Sequence, residues 1–387
     1  MLGIGVLAAL VVSVAAASAP GSPIRAGAPE LRDLPGAAFV AAAAVAFGLY
    51  VLALVSLRGR RARLGAIAAL AVAIQLVPLA GPLLISRDAY SYWAYGRLVD
   101  DHGANPYRVA PARFTHDPAE RSMAAGWRHT DSVYGPLFTE ASAGLAAVSG
   151  SSAETTSFVY RLLGACGMLM LAGVAAAAAS QRAFALVLVG WNPLLALQFA
   201  GGGHNDVWLA CFLAGAVALA SRGRGLLSGA SWAVAAGVKW LPLVLLPFAL
   251  AARRENALRV ALGFAGAAAA LCATAFALFG TAWLGALLPF AHRHSAYAFP
   301  SRLAELGLPA WLAVLPFALC LPWLARAAVR GRPRLALGTL LMLVASPWLL
   351  PWYGVWAVSL AAVEEDTVAC VLALALSVYL LPDRIPF

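Results

Sequence analysis

Charge is what this chain of 387 residues has least of: Asp, Glu, Lys and Arg make up 11% of it, while 62% is hydrophobic. Too few polar side chains remain to cover a soluble core of that size, so a water-soluble globule is excluded and the bilayer is left as the solvent. A mean hydropathy of +0.82 agrees. Cysteine is sparse as well. Cys166, Cys211, Cys272, Cys320 and Cys370 stand singly in apolar segments, which suits small core residues and excludes a disulfide framework or a cysteine zinc site. Also missing are a Walker A phosphate loop, a GxSxG elbow and a paired-acid DxD, so nucleotide-dependent and acyl-enzyme mechanisms have no support. The string GIGVLA at residues 3–8 lies in an apolar span with no strand context and is not a dinucleotide fingerprint. No polar stretch reaches the size of a soluble domain and no tandem repeat occurs, so residues 1–387 read as a single membrane domain.

What the chain has instead is apolar runs. A helix needs about 20 apolar residues to span a bilayer, and residues 37–57, 64–85, 157–180, 257–280 and 307–325 approach that length. Residues 1–20 end in Ala-Pro and are either a cleaved signal peptide or a first span. A net charge of +10 would suggest nucleic acid in a soluble protein. Here the basic residues fall in short clusters between apolar stretches, as the positive-inside bias requires, and no nucleic-acid partner is expected. The clusters at 58–63, 222–224, 253–259 and 326–334 are placed in the cytoplasm by that bias. Three segments then face outside: a loop over 86–132, the turn at 201–206 and the stretch 281–302. All six histidines lie in them. Two segments resist a simple count. Residues 133–150 contain Pro136, Glu140 and several glycines and read as an interfacial or partly inserted helix. Residues 225–251 contain Lys239, Pro242 and Pro247 and read as a broken hairpin. The expected fold is all-α, a polytopic membrane bundle of about 10–11 transmembrane helices with interfacial or broken helices.

Polar residues concentrate where chemistry at one membrane surface would need them. Asp88 follows the third apolar run by a few residues. It stands where a base would reach a substrate at the surface, or else it caps the next helix. Tyr90, Tyr92, Trp93 and Tyr95 behind it form either an interfacial belt or a stacking platform for a sugar. In GGGHNDVW, residues 201–208, His204, Asn205 and Asp206 either contact substrate or cap a helix. Lys239 is the sole lysine. Within an apolar run it needs an anionic partner unless it snorkels beside Trp240. His292, Arg293, His294 and Arg302 could gather around a phosphate or attract lipid headgroups. His292 and His294 lack the i, i+4 spacing of helical metal ligands, and no zinc site is expected.

The ordered strings SRDAYSYWAYG (86–96), NPY (105–107), SVYGPLF (132–138), GGGHND (201–206) and KWLPLVLLPF (239–248) resemble the polyprenol-phosphomannose-dependent α-(1→6)-mannosyltransferases of actinobacteria, which are GT-C glycosyltransferases. That resemblance implies an inverting transfer of a sugar, mannose first among candidates, from a polyprenyl monophosphate to a glycan or lipoglycan acceptor such as lipomannan. The reaction would occur on the outer face of the bacterial plasma membrane. It implies Asp88 as general base, Tyr92, Tyr134, His204, Asn205 and Asp206 near the sugar or acceptor, and Lys239 or Arg293 near the leaving phosphate. No cofactor or metal is expected, because a monophosphate donor carries no pyrophosphate to neutralise. The rival reading is a transporter or flippase of a lipid-linked sugar, for which inverted repeats would speak and none is found.

Overall fold

The computed structural model describes residues 1–20, 22, 34–57, 63–287 and 293–381. Residues 58–62 and His292 fall outside them, so the expectations placed there are not addressed. The regular structure is helical throughout, with no strand among the described residues. The order is α1 (Leu2–Ser18), α2 (Leu34–Leu57), α3 (Leu64–Leu76), α4 (Asp88–Asp100), α5 (Pro118–Ser122), α6 (Pro136–Ser149), α7 (Ala153–Ala178), α8 (Arg182–Gly190) and α9 (Pro193–Ala196). It continues with α10 (Asp206–Ser221), α11 (Gly225–Val238), α12 (Leu241–Ala252), α13 (Arg254–Phe279), α14 (Phe299–Glu305), α15 (Leu315–Val329), α16 (Leu335–Ala345), α17 (Gly354–Glu364) and α18 (Thr367–Tyr379).

Among the described residues four helices are long and apolar enough to cross a bilayer: Leu34–Leu57, Ala153–Ala178, Arg254–Phe279 and Ala310–Val329, the last joining a 3-10 turn to α15. A further span is bent by 47° between Arg182–Gly190 and Pro193–Gly201, and seven apolar helices of 10–17 residues complete the set. The expected runs therefore reappear with shifted ends. The run 64–85 is shortened: α3 passes into a 3-10 turn at Val77–Ala80, because Pro78 and then Gly81 and Pro82 cannot continue the helix. The hairpin at 225–251 breaks at Lys239 and Trp240, as expected, but Pro247 sits inside α12 without ending it. Residues 2–18 form one helix packed on α2, its Val6, Leu10 and Ala17 buried.

The bundle is graded from centre to rim. α10 and α17 are buried almost all round, as an apolar helix at the centre of a membrane protein should be. α13 and α15 bury little and present apolar side chains outward to lipid. Several polar side chains inside the bundle donate to backbone carbonyls, where no water is at hand to accept them. Tyr50 donates to Leu188 O at 2.6 Å, Gln75 to Gly190 O at 2.9 Å and the Trp191 indole to Ile67 O at 3.0 Å.

Hydrogen bonds gather the connections into two opposite ends. At one end, the Glu365 carboxylate accepts the Ser180 and Gln181 N–H groups, Glu364 accepts those of Leu335 and Ala336, and Arg334 pairs with Asp366. At the other lie the loop 86–132, residues 201–206, 293–297 and 346–353. The loop is fastened from several sides. Asn105 of the NPY string donates to Phe279 O at 2.8 Å, and the Tyr107 hydroxyl lies 2.9 Å from both Tyr134 O and Thr139 Oγ1. Asp117 accepts from Arg97 at 2.9 Å and lies 2.7 Å from His102 Nε2. Burial alone would raise the Asp117 carboxyl, but the bonds from His102, the Ala119 N–H and Arg97 outweigh it and hold it below the usual range. The acids after α4 are thus part of a loop clamp: Arg97 also reaches Asp101 at 2.6 Å.

α4 and α6 cross with Gly96 against the Ser142 carbonyl, where a Cβ would overlap backbone. Gly96→Ala is expected to force the two helices apart and cost about 1–3 kcal/mol. A melting temperature in detergent equal to that of the parent would contradict this contact.

Candidate active site

The site begins with a strained turn. Ile85 adopts φ +70°, rare for a β-branched residue. The Ser86 N–H closes back on Leu84 O at 2.7 Å, and Leu84 N–H is anchored on Gly201 O at 3.0 Å. Leu84 and Ile85 are buried, so packing holds the turn. It delivers Asp88 as the first residue of α4, where the helix dipole favours a carboxylate. Asp88 makes no side-chain cap; its carboxylate, 22% exposed, lies 3.4 Å from His204 Nδ1.

His204, Asn205 and Asp206 arrive by a second irregular segment. The last turn of α9 widens into a π turn at Leu197–Gly201, a distortion frequent at functional sites, and Gly203 follows at φ +72°. Arg161, buried on α7, donates to the Ala200 and Pro78 carbonyls that these irregular turns leave free. The three polar residues then enter the protein, each less than 3% exposed. None caps α10. The His204 ring stacks on Trp352 with centroids 3.5 Å apart, and Asn205 Oδ1 stands 3.5 Å from the Tyr92 hydroxyl. Asp206 receives both bonds of Lys239 Nζ, at 2.7 and 2.8 Å.

In front of this wall opens a cavity of about 710 Å³. Asp88, Tyr92, Tyr134, Lys239 and Arg293 line it, so five of the eight expected site residues share one space. The other three do not line it. They were expected at the substrate, but their burial puts them behind Asp88, Tyr92 and Lys239, each touching one of these. Gly135 of the SVYGPLF string lies against the Gly237 carbonyl with no room for a Cβ, which brings Tyr134 beside the break that carries Lys239. Burial, reinforced by the Asp88 charge, pushes the Tyr92 and Tyr134 hydroxyls well above the ordinary phenol range, so both remain neutral hydrogen-bond donors.

The two cavity cations differ in kind. Lys239 is already neutralised by Asp206 and sits over the Tyr353 and Trp356 rings, 4.6 and 5.5 Å from their centroids. Arg293 lies 4.0 Å over Trp127 and donates to Thr130 Oγ1 at 3.2 Å, with no carboxylate partner among the described residues. Residues 346–356 also line the cavity, contributing Trp348, Trp352, Tyr353 and Trp356. Sequence reasoning missed this segment, although SPWLLPWYGVW interrupts an apolar run with prolines and aromatics. Among the described residues no three His, Cys, Asp or Glu side chains gather as a metal-binding group.

The Asp206–Lys239 pair is asymmetric, 0% against 20% side-chain exposure. Lys239→Met strands a buried carboxylate and is expected to cost about 3–5 kcal/mol. Asp206→Asn leaves a lysine that reaches cavity water and should cost less, about 1–3 kcal/mol. Denaturation of the two variants in the same detergent checks the order; equal losses would contradict it.

Residues 2–255 match the family described as Alpha-(1->6)-mannopyranosyltransferase, N-terminal domain. Alpha-(1->6)-mannopyranosyltransferase A of Mycobacterium tuberculosis is 26% identical over 362 residues, 81% of this chain and 69% of the relative. The protein of the same name in Corynebacterium glutamicum is 28% identical over 179 residues, 45% of this chain and 36% of the relative. A probable alpha-(1->6)-mannopyranosyltransferase of Mycolicibacterium smegmatis is 32% identical over 149 residues, 35% and 26% of the two chains. No solved structure matches the chain.

Proposed function

The chain belongs to the alpha-(1->6)-mannopyranosyltransferase family, and from that membership we propose that its cavity performs an inverting mannosyl transfer from a polyprenyl monophosphate to a glycan or lipoglycan hydroxyl. The observation that carries this reading is the placement of Asp88 and Arg293 on one cavity, with neutral tyrosine hydroxyls and an aromatic wall beside them.

Asp88 accepts the proton of the acceptor hydroxyl as its oxygen bonds to the anomeric carbon. The bond from that carbon to the phosphate oxygen breaks on the far side, and the phosphate leaves with the electron pair. Negative charge grows on the departing phosphate. Arg293, with no carboxylate partner among the described residues, is better able to meet it than Lys239, whose charge Asp206 already balances. Lys239 instead keeps the α11–α12 break in place. His204 Nδ1 lies 3.4 Å from the Asp88 carboxylate, behind it. The donor phosphate carries a single bridging ester on each side, so the transfer is proposed to run without a metal. The cavity end is assigned to the outer face of the bacterial plasma membrane, because arginines cluster in the short connections at 222–224, 253–254 and 330–334, at the opposite end.

A lipid donor also needs a course for its chain. An apolar groove of about 340 Å³ opens beside the cavity between α6, α11, α12 and α13 and shares Trp240 with it. Its lining follows α13 from Phe264 to Phe279, about 22 Å at the helical rise, which supports a polyprenyl tail lying along it toward the bilayer interior.

With polyprenyl-phosphate mannose and a short mannan acceptor, Asp88→Asn is expected to lower kcat by about 10²–10⁴, and Arg293→Gln to raise the donor KM more than the acceptor KM. Unchanged turnover of the Asp88 variant removes it as base, and lipid translocation without transfer by the parent would favour a flippase. Shortening the donor to one or two isoprene units is expected to raise its KM at least ~10-fold, given about 0.8 kcal/mol for each buried methylene. Ala268→Trp should raise the KM of the long donor alone; an equal effect on both donors contradicts the groove as the tail's course.

A further inference from the structure

At the end of the bundle opposite the cavity, α15 closes with Arg326 and Arg330, one turn apart on the same face. The chain then reverses through Gly331 at φ +83° and Arg334 at φ +46°. The reversal brings Arg332 and Arg334 to the same place, so that four arginines and Trp323 line a cavity of about 360 Å³. Arg334 is satisfied: it holds Asp366 through two bonds of 2.7 and 2.8 Å and stands 4.9 Å over the Trp323 ring. Arg326, Arg330 and Arg332 are not, for none of their guanidinium groups has a hydrogen bond or ion pair among the described residues. The neighbouring acids cannot serve them. Glu364 is taken by the Leu335 and Ala336 N–H groups, and Asp366 by Arg334 and the N–H groups of Val368 and Ala369.

The positive-inside bias accounts for arginine at such an end. It does not by itself bring three exposed guanidinium groups to one cavity, where a shared anion would offset their mutual repulsion. The surroundings say which anion. Trp323, Leu319 and Val329 are exposed beside the cavity, and the helix Ala310–Val329 is long and apolar enough to cross a bilayer, so the arginines stand where an apolar surface meets water. Guanidinium forks match phosphate oxygens in pairs, and a basic pocket at helix ends is the setting in which phospholipid headgroups bind.

We propose that Arg326, Arg330 and Arg332 form a binding site for a phosphate group, that of an anionic phospholipid headgroup whose acyl chains lie against Trp323 and the outer face of α15. The site is separate from the transfer cavity and does not depend on the proposed reaction. The test uses the full chain purified in detergent and titrated with phosphatidylglycerol, phosphatidylcholine or inorganic phosphate, with bound lipid counted by native mass spectrometry and thermal melting followed in parallel.

Phosphatidylglycerol is expected to bind more tightly than phosphatidylcholine by a factor on the order of a hundred, from three basic residues acting together. The preference should vanish in Arg326→Gln/Arg330→Gln/Arg332→Gln and persist in part in the corresponding triple lysine variant. If the triple glutamine variant does not fold, Arg330→Gln alone should lower the preference about fivefold, the share of one charge in three. Saturation by inorganic phosphate, abolished by the same substitutions, would assign the phosphate chemistry to a free ion and overturn the lipid as its source. Equal binding of the two lipids, or a preference indifferent to the substitutions, would overturn the site.

Discussion

Asp206 has no exposure to water, and burying a carboxylate in an apolar bundle is costly unless a cation is paired with it. Lys239 supplies it, and in doing so fixes the geometry of the whole cavity wall. The pair ties the start of α10 to the break between α11 and α12. Because His204 and Asn205 are consecutive with Asp206, the same anchorage sets where Asp88 and Tyr92 are met from behind. Three adjacent buried residues thus index three cavity residues supplied by two other parts of the chain. A chain that must do polar chemistry in lipid has no water to repair loose contacts, so precision has to come from pairs of this kind.

The remaining irregularities serve the same end. The strained Ile85 turn, the π turn at Leu197–Gly201 and the 3-10 turns at Val77–Ala80 and Pro351–Tyr353 all lie at the cavity end of the bundle. Regular helix would carry these segments past the membrane surface with their side chains directed into lipid. Broken helix stops them there. The carbonyls it frees are taken by Arg161 and by backbone N–H groups. The gradation of burial outward to α13 and α15 leaves the lipid-facing helices less constrained, and the apolar groove beside the cavity lies along one of them.

Much of this was legible in the sequence, for reasons that are local. Apolar length marked α2, α7 and α13; Lys239 followed by proline marked the broken hairpin; glycines and Pro136 marked α6 as something other than a span. The polar strings named five residues that line the cavity. What escaped depends on partners far apart in the chain. Nothing near Lys239 reveals that its counter-ion is Asp206, and nothing near His204 reveals Trp352 as its stacking surface. Burial of the His204, Asn205 and Asp206 side chains is a tertiary property, which a polar motif beside glycines does not betray. The aromatic wall at 346–356 was hidden because its residues add to hydropathy, and Arg161 because one arginine in a long apolar helix does not announce which carbonyls it meets.

The central claim, that one cavity holds the reacting sugar between Asp88 and Arg293, is tested most directly by a cryo-electron microscopy structure with a non-transferable polyprenyl phosphonate analogue of the mannosyl donor. The phosphonate should lie against Arg293, with the lipid passing Trp240 into the groove and the anomeric carbon turned toward Asp88. A sugar bound at the opposite end of the bundle, or a phosphonate held away from Arg293 with Asp88 out of reach of the acceptor side, would contradict it.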